Sequence, residues 1–245
     1  MAIIQEINPS EADVGYVSRP FNEALAEFEA YGYHIVSSEE LAKLRITHGK
    51  DSNVTNYGSY VKEGFLYVPE KGIFLVRNSP IIANAKQATQ GHRKGQEFYL
   101  TNKQVEETLV NSVQFKDSSA IPTNRFADDA RTAFAFGETA KAYGEFLREI
   151  GIKEMPVYLA SLENKPFPFA RKAWISRADE SYGSGLGGVS RDLHCSITVR
   201  GVRNVEPRSG DMERLMDVIK SSKQFVPEFV RKDFEKGLES LFKKQ

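Results

Sequence analysis

The sequence predicts an α+β fold, with a mixed or mostly antiparallel sheet packed against several helices. Three observations carry this. Short apolar runs of strand length alternate irregularly with segments of helical spacing, without the steady βαβ rhythm of a doubly wound sheet. One segment, near 127–150, reads as a single long helix. The chain has 245 residues and a single cysteine, Cys195, so its core forms without an intrachain disulfide. The whole of 1–245 reads as one domain, with the irregular stretch 113–124 as the candidate subdomain boundary.

The elements follow in order. Phe21, Ala24, Leu25, Phe28 and Tyr31 recur at helical spacing behind Pro20, and Gly32 ends that helix. Ser37-Ser38-Glu39-Glu40 is a capping box opening a helix through Leu44. Residues 47–59 are polar and read as a loop. Tyr60–Val68 and Gly72–Arg77 read as a hairpin turned by Pro69-Glu70-Lys71. Residues 80–90 read as helix, Gly91-His92-Arg93-Lys94-Gly95 as a basic turn and Gln96–Leu100 as a strand. Thr101 with Gln104 caps a further helix through Val110.

The helix near 127–150 has Asp128 and Asp129 in its first turn, where the macrodipole favours acids, and Gly151 after its last residue. Twenty-four residues would span about 36 Å. Phe136, Ala140, Tyr143, Leu147 and Ile150 form an apolar stripe beside a stripe of small residues, so the helix is expected to be covered on more than one side. Val157–Ala160 reads as a strand. Leu193–Val199 alternates, putting Leu193, Cys195, Ile197 and Val199 on the buried face and His194, Ser196, Thr198 and Arg200 on the polar one. Two amphipathic helices close the chain, one with Met212, Leu215, Met216 and Ile219, the other with Val230, Phe234, Leu238 and Leu241.

Composition excludes several classes. With 33 acids against 33 Lys plus Arg, the chain lacks the surplus of positive charge that coats nucleic acid non-specifically. The four histidines and lone cysteine have no ligand-like spacing, so no structural zinc site built from Cys and His is expected, and no metal ligands are marked. No secretory leader and no apolar run of spanning length is seen, so the expected location is cytoplasmic, with no membrane association. Asn53-Val54-Thr55 is then a chance match to a glycosylation acceptor. Charge is uneven along the chain: residues 1–45 carry eight acids and three bases, residues 165–208 eight bases and four acids.

The segment most suggestive of function is Ser181-Tyr182-Gly183-Ser184-Gly185-Leu186-Gly187-Gly188-Val189-Ser190-Arg191. Glycines let a backbone turn sharply and bring converging N–H groups to an anion. Arg177 and Arg191 flank it, and a guanidinium grips phosphate or carboxylate through two bonds. His194 follows on the polar side of a strand. The candidate ligand-binding set is therefore Arg177, Gly183, Gly185, Gly187, Gly188, Arg191 and His194. The spacing does not fit a dinucleotide fingerprint, and a strand, not a helix, follows the glycines.

Other motifs are weaker. Cys195 groups with apolar neighbours and is expected to be buried, which opposes a His194–Cys195 nucleophile pair. Glu163-Asn164-Lys165 has the acid–lysine spacing of metal-dependent nucleases but no partner acid. Phe167, Phe169 and Trp174 interleave with Lys165, Arg171 and Lys172, a pattern that suits either stacking on single-stranded nucleic acid or a core strand with charged edges. No catalytic constellation is specific enough to mark an enzyme, and no cofactor is implied. Two readings follow. In the first, residues 165–203 bind a phosphate-bearing ligand, a nucleotide or nucleic acid. In the second, the chain is a non-catalytic structural or interaction protein whose basic stretch meets an acidic partner or its own acidic N-terminal region.

Overall fold

The computed structural model describes residues 4–6, 12–188 and 192–204. Contacts divide the chain into a unit of Met1–Arg203 and a second of Asn204–Gln245. The two amphipathic helices expected beyond residue 210 lie outside the described residues. The stretch 113–124 lies inside the first unit.

A hairpin of β1 (Ile4–Glu6) and β2 (Ala12–Arg19) opens the described chain. Behind Pro20, α1 (Phe21–Ala30) buries Phe21, Ala24 and Phe28 at the expected spacing, and Gly32 follows with φ +72°. β3 (His34–Ile35) leads to α2 (Ser38–His48). The capping box forms as the sequence predicts. Glu40 N–H donates to Ser37 Oγ at 3.1 Å, and Ser37 N–H donates to Glu40 Oε2 at 2.7 Å. The helix continues past Leu44 to His48. Glu63, wholly buried, reinforces its start by accepting from Ser38 N and Ser38 Oγ, both at 2.9 Å.

A short α3 (Asn53–Asn56) interrupts the polar 47–59 stretch before the long β4 (Ser59–Val68). β5 (Gly72–Val76) returns antiparallel along it through the Pro69–Lys71 turn, where Glu70 takes φ 67°. Then come α4 (Pro80–Ala83), α5 (Ala85–Arg93), β6 (Phe98–Tyr99), α6 (Asn102–Leu109) with its Thr101/Gln104 capping box, β7 (Ser112–Phe115) and β8 (Ile121–Pro122).

The predicted long helix is a helical run of 20 residues made of α7 (Ala130–Phe136), a 3-10 turn at Gly137–Thr139 and α8 (Ala140–Glu149). It starts after Asp129, whose side chain caps it by accepting from Arg131 N at 2.9 Å. Its axis breaks at Gly137, which takes φ +53°. A Cβ there would lie 2.5 Å from Glu39 Oε2, so the glycine also admits the side chain of α2. The small-residue stripe does what small residues allow: a Cβ on Gly144 would collide with the Thr123 carbonyl and Phe126. β9 (Glu154–Met155), β10 (Val157–Tyr158), β11 (Phe169–Ile175), β12 (Leu186–Gly187) and β13 (Ile197–Asn204) complete the described chain.

The main sheet is mixed and runs β1-β2-β13-β4-β11-β12-β10, with β5 and β7 extending from β4, β3 on β13 and β6 on β11. β13 meets β4 in parallel and β10 meets β12 in parallel, whereas β4 pairs antiparallel with both β5 and β11. Alternation along β4 sorts side chains into two cores. Val61, Phe65 and Tyr67 join α2, α7 and α8 on one face, and Tyr60, Leu66 and Val68 join α1, α5 and α6 on the other. Among the described residues no helix is long and apolar enough to cross a membrane.

The alternation expected over 193–199 holds only in part. The strand begins at Ile197, and residues 193–196 form a turn in which Cys195 N–H donates to Asp192 O at 2.9 Å. Cys195 is exposed, not buried, because a turn does not obey strand alternation. Arg200, expected on the polar face, is fully buried, with Nη2 donating to Asn53 O at 3.0 Å and its guanidinium 5.4 Å from the Tyr16 ring centroid. Asn53 is thereby engaged and Thr55 is fully buried, which closes the apparent glycosylation acceptor.

Candidate functional site

The glycine-rich segment is held in the fold by a buried arginine. Arg45, on α2, is completely buried and uses every donor of its guanidinium. Nε donates to Val54 O at 3.0 Å. Nη1 donates to Tyr143 Oη at 2.8 Å and Ser184 Oγ at 2.9 Å. Nη2 donates to Ser176 O at 2.8 Å and Tyr57 O at 3.3 Å. Tyr143 Oη and Ser184 Oγ are themselves 2.7 Å apart. One side chain thus ties α2, the α3 loop, α8 and the chain on both sides of Tyr182 together.

The residues Gly183–Gly188 are all buried. Their amides serve the fold: Gly183 N–H donates to Asp179 O at 2.7 Å, Ser184 to Arg177 O at 3.1 Å, Gly185 to Tyr182 O at 3.0 Å, Leu186 to Pro156 O at 2.9 Å and Gly188 to Tyr158 O at 2.8 Å. They do not converge on an open anion cradle. Tertiary packing accounts for the glycines. A Cβ on Gly185 would lie 2.6 Å from Tyr158 Cε2, and one on Gly188 would lie 2.5 Å from Phe65 Cδ2 and 2.7 Å from Tyr67 Oη. Gly187 has more room, its nearest neighbour being Tyr158 Cβ at 3.5 Å. Gly183 takes φ +58°, the left-handed region. Tyr67 Oη donates to Gly188 O at 2.8 Å, and burial pushes its phenol up to about 12, so it stays a donor at neutral pH.

Of the other candidate residues, Arg177 lies beside the glycine segment, its carbonyl accepting from Ser184 N at 3.1 Å. Arg177 is at the surface. Its Nε meets Asp179 Oδ2 at 2.6 Å and its guanidinium lies 4.0 Å from the Tyr182 ring centroid. Arg191 lies outside the described residues. His194 is half-buried, with an Nδ1 that has no hydrogen-bond partner among the described residues. Its neighbour Leu193 belongs to the α1-side core and accepts from Phe21 N at 2.7 Å, whereas Leu186 belongs to the opposite core. Arg177 and the glycines are therefore adjacent, and His194 follows a residue packed on the other face of the sheet.

Of the six described basic residues in 165–208, three, Arg171, Lys172 and Arg200, are buried. Arg171 is buried against Glu97, with Nη2 to Oε1 at 2.6 Å and Nε to Oε2 at 3.1 Å, and lies over the rings of Phe169 and Tyr67. Burial alone would raise the Glu97 carboxyl, but Arg171 and then Lys165 hold it below the usual range. Lys172 is wholly buried and donates from Nζ to three consecutive carbonyls of β4, those of Val61, Lys62 and Glu63. Burial pushes its amine down to about 7, against the pull of Glu63. No group of three His, Cys, Asp or Glu among the described residues could hold a metal ion.

The surface left around the glycine segment is aromatic, with the Arg177–Asp179 ion pair beside it. Tyr57, Tyr158 and Tyr182 are 57%, 45% and 47% exposed. Tyr158 lies on the glycine backbone, Tyr182 opens the segment under Arg177, and the Tyr57 carbonyl shares Nη2 of Arg45 with that of Ser176. No sequence pattern marks Arg45, Tyr57 or Tyr158, and Tyr143 and Ser184 are legible only as a stripe residue and a member of the glycine segment, because the partners are far apart in the chain. The signal that was available is the glycine run itself, which a close-packed backbone requires as much as an anion loop does.

No protein-family model and no curated protein matches this chain. A solved structure described as "Accommodation of massive sequence variation in Nanoarchaeota by the C-type lectin fold" is similar, at 17% identity and a TM-score of 0.58, over 82% of this chain and 100% of that one. The likeness is one of fold.

Proposed function

We propose that this chain is a non-catalytic recognition module that meets a polypeptide partner through the rim formed by Tyr57, Tyr158, Arg177 and Tyr182. One observation carries the reading: exposed tyrosines and an arginine sit on a backbone whose own polar groups are satisfied internally. Tyr and Arg are the side chains that dominate binding energy at protein interfaces, since they offer large contact area at low entropic cost. A scaffold that does not move keeps that cost low. The likeness of fold supports it further, because the similar protein is described as accommodating massive sequence variation, which asks a core to hold while a surface changes.

The experiment selects binding peptides from a random displayed library against the full chain, then measures them on Tyr158→Ala and Tyr182→Ala. Loss of an anchor of at least about 2 kcal/mol weakens binding roughly thirty-fold. Val110→Ala, an exposed apolar site elsewhere, should change nothing. Selected peptides that bind the double rim variant as tightly as the wild type would defeat the reading.

A phosphate-bearing ligand at residues 165–203 remains the second reading, favoured by the exposure of Arg177 beside the Tyr182 ring. Nucleotides and short oligonucleotides on the same chain test it. A thermal shift abolished by Arg177→Ala would establish it over the first.

A further inference from the structure

The aromatic and basic residues that interleave over 165–174 divide between core and surface, with Lys165 between them: its Nζ lies 5.6 Å from the Phe169 ring centroid and shares Glu97 with Arg171. Phe169, Arg171 and Lys172 enter the core, while Phe167 and part of the half-buried Lys165 stay at the surface. They are joined there by residues from a different stretch of chain. Tyr99, on β6, packs edge-on against Phe167 with ring centroids 6.1 Å apart and planes at 85°. Both rings are open to solvent, at 49% and 61% exposure. Tyr99 also lines a cleft of about 340 Å³ with Gln87, Gln90, Lys94, Gln96 and Glu97. The segment Gly91–Gly95, expected as a basic turn, is instead the last turn of α5 with Lys94 as its cap; His92 is buried, and Gly91 and Lys94 open onto the same cleft as Tyr99.

The charge of this cleft is set by one acid that is already answered. Glu97 receives Arg171 on both oxygens and Lys165 Nζ on Oε1 at 3.1 Å. Lys165 outside the cleft wall is 30% exposed, and Lys94 on the wall takes part in no ion pair among the described residues. The three glutamines are amides that both donate and accept, the chemistry that reads a nucleobase edge. The cleft volume is within the range of small-ligand sites, roughly 300–1,000 Å³.

We propose that this surface binds single-stranded nucleic acid, with bases stacked on Tyr99 and Phe167 and the backbone phosphates meeting Lys94 and Lys165. Exposed aromatic faces beside cationic side chains are what sequence-tolerant single-strand binding uses. Two rings at 85° cannot both extend one base stack, so successive bases must splay apart. A single strand permits this and a duplex does not. Zero net charge is no obstacle, because the contact is a local one of few phosphates, and it predicts weak salt dependence. The surface is separate in residues from the rim of Tyr57, Tyr158, Arg177 and Tyr182, and it stands whether or not that rim binds a polypeptide.

The test is fluorescence anisotropy of a labelled oligouridine of about ten nucleotides with the full chain at low salt, within the range of known single-strand sites. Tyr99→Ala and Phe167→Ala should each weaken binding roughly five- to hundred-and-fifty-fold. Tyr99→Phe, which keeps the ring, should bind as the wild type does. Lys94→Gln should reduce the slope of log affinity against log salt by about 0.7. Arg177→Ala should leave binding unchanged. All four sites are at the surface, and an unaltered thermal midpoint confirms that each variant is folded. No anisotropy change with wild-type chain would overturn the proposal, as would oligouridine binding that survives loss of both rings. Selected peptides that lose affinity on Tyr99→Ala, with no binding of oligouridine, would assign the patch to a protein partner instead.

Discussion

Replacing Arg45 by Met tests the centre of the fold. Methionine keeps the stem volume and removes all five donors. Two buried carbonyls, those of Val54 and Ser176, and the partly buried one of Tyr57 lose their partner. Each buried acceptor left unsatisfied costs about 1–3 kcal/mol. Two terms offset this. The buried cation and its desolvation disappear, and Tyr143 Oη and Ser184 Oγ, 2.7 Å apart, still bond each other. The net expectation is a loss of about 2–4 kcal/mol, the cost of the unsatisfied acceptors less the relieved desolvation. Arg45→Lys keeps the charge but has three donors on a flexible stem, so it should also be clearly destabilised. Guanidinium unfolding followed by the fluorescence of Trp174, the single tryptophan, measures both. Hydrogen exchange should rise across residues 176–185, because the arginine holds that segment from beneath. If both variants lose less than about 1 kcal/mol, the network does not organise the glycine segment and the reasoning fails.

Three further outcomes follow from the same geometry. Gly188→Ala should cost about 1–3 kcal/mol, since its Cβ would stand 2.5 Å from Phe65 Cδ2 in a closed core; unchanged stability would show that the backbone has room to move. Lys172 binds its proton more weakly folded, at about 7, than unfolded, at its ordinary 10.5. Between those values the unfolded chain holds more protons, so stability should rise with pH across that window and stay flat with respect to this group below it. Lys172→Met should flatten the rise, and an equal slope in both proteins would refute the assignment. Cys195 should react with a thiol reagent in the native protein at a rate close to that after unfolding, because it is exposed in a turn; protection in the native state would restore the buried-strand reading.

Local physics was legible in the sequence. Ser37 with Glu40 and Thr101 with Gln104 became capping boxes, because a cap is a bond between residues three apart and needs no distant partner. The α1 stripe, the β4–β5 hairpin and the α+β class followed from periodicity for the same reason. The long helix was found but not its break, because Gly137 reads as one small residue among several until Glu39 arrives from α2. At the turn before β13 the pattern misled: Leu193 and Val199 are buried as alternation asks, while Cys195 is exposed and Arg200 buried.

What the tertiary structure alone decided is which polar and basic residues face water. Arg45 and Ser184 are 139 residues apart and share a hydrogen bond, and no window along the chain contains both. Arg171, Lys172 and Arg200 count as surface charge in any composition, yet each is buried because an acid, a row of carbonyls or an asparagine from elsewhere satisfies it. The glycine run is the plainest case. Four glycines in six residues describe an anion loop and a backbone pressed under aromatic rings equally well. The difference lies in whether Pro156, Tyr158 and Phe65 occupy the space a side chain would need. Non-local contacts set that, and only the folded chain brings them together.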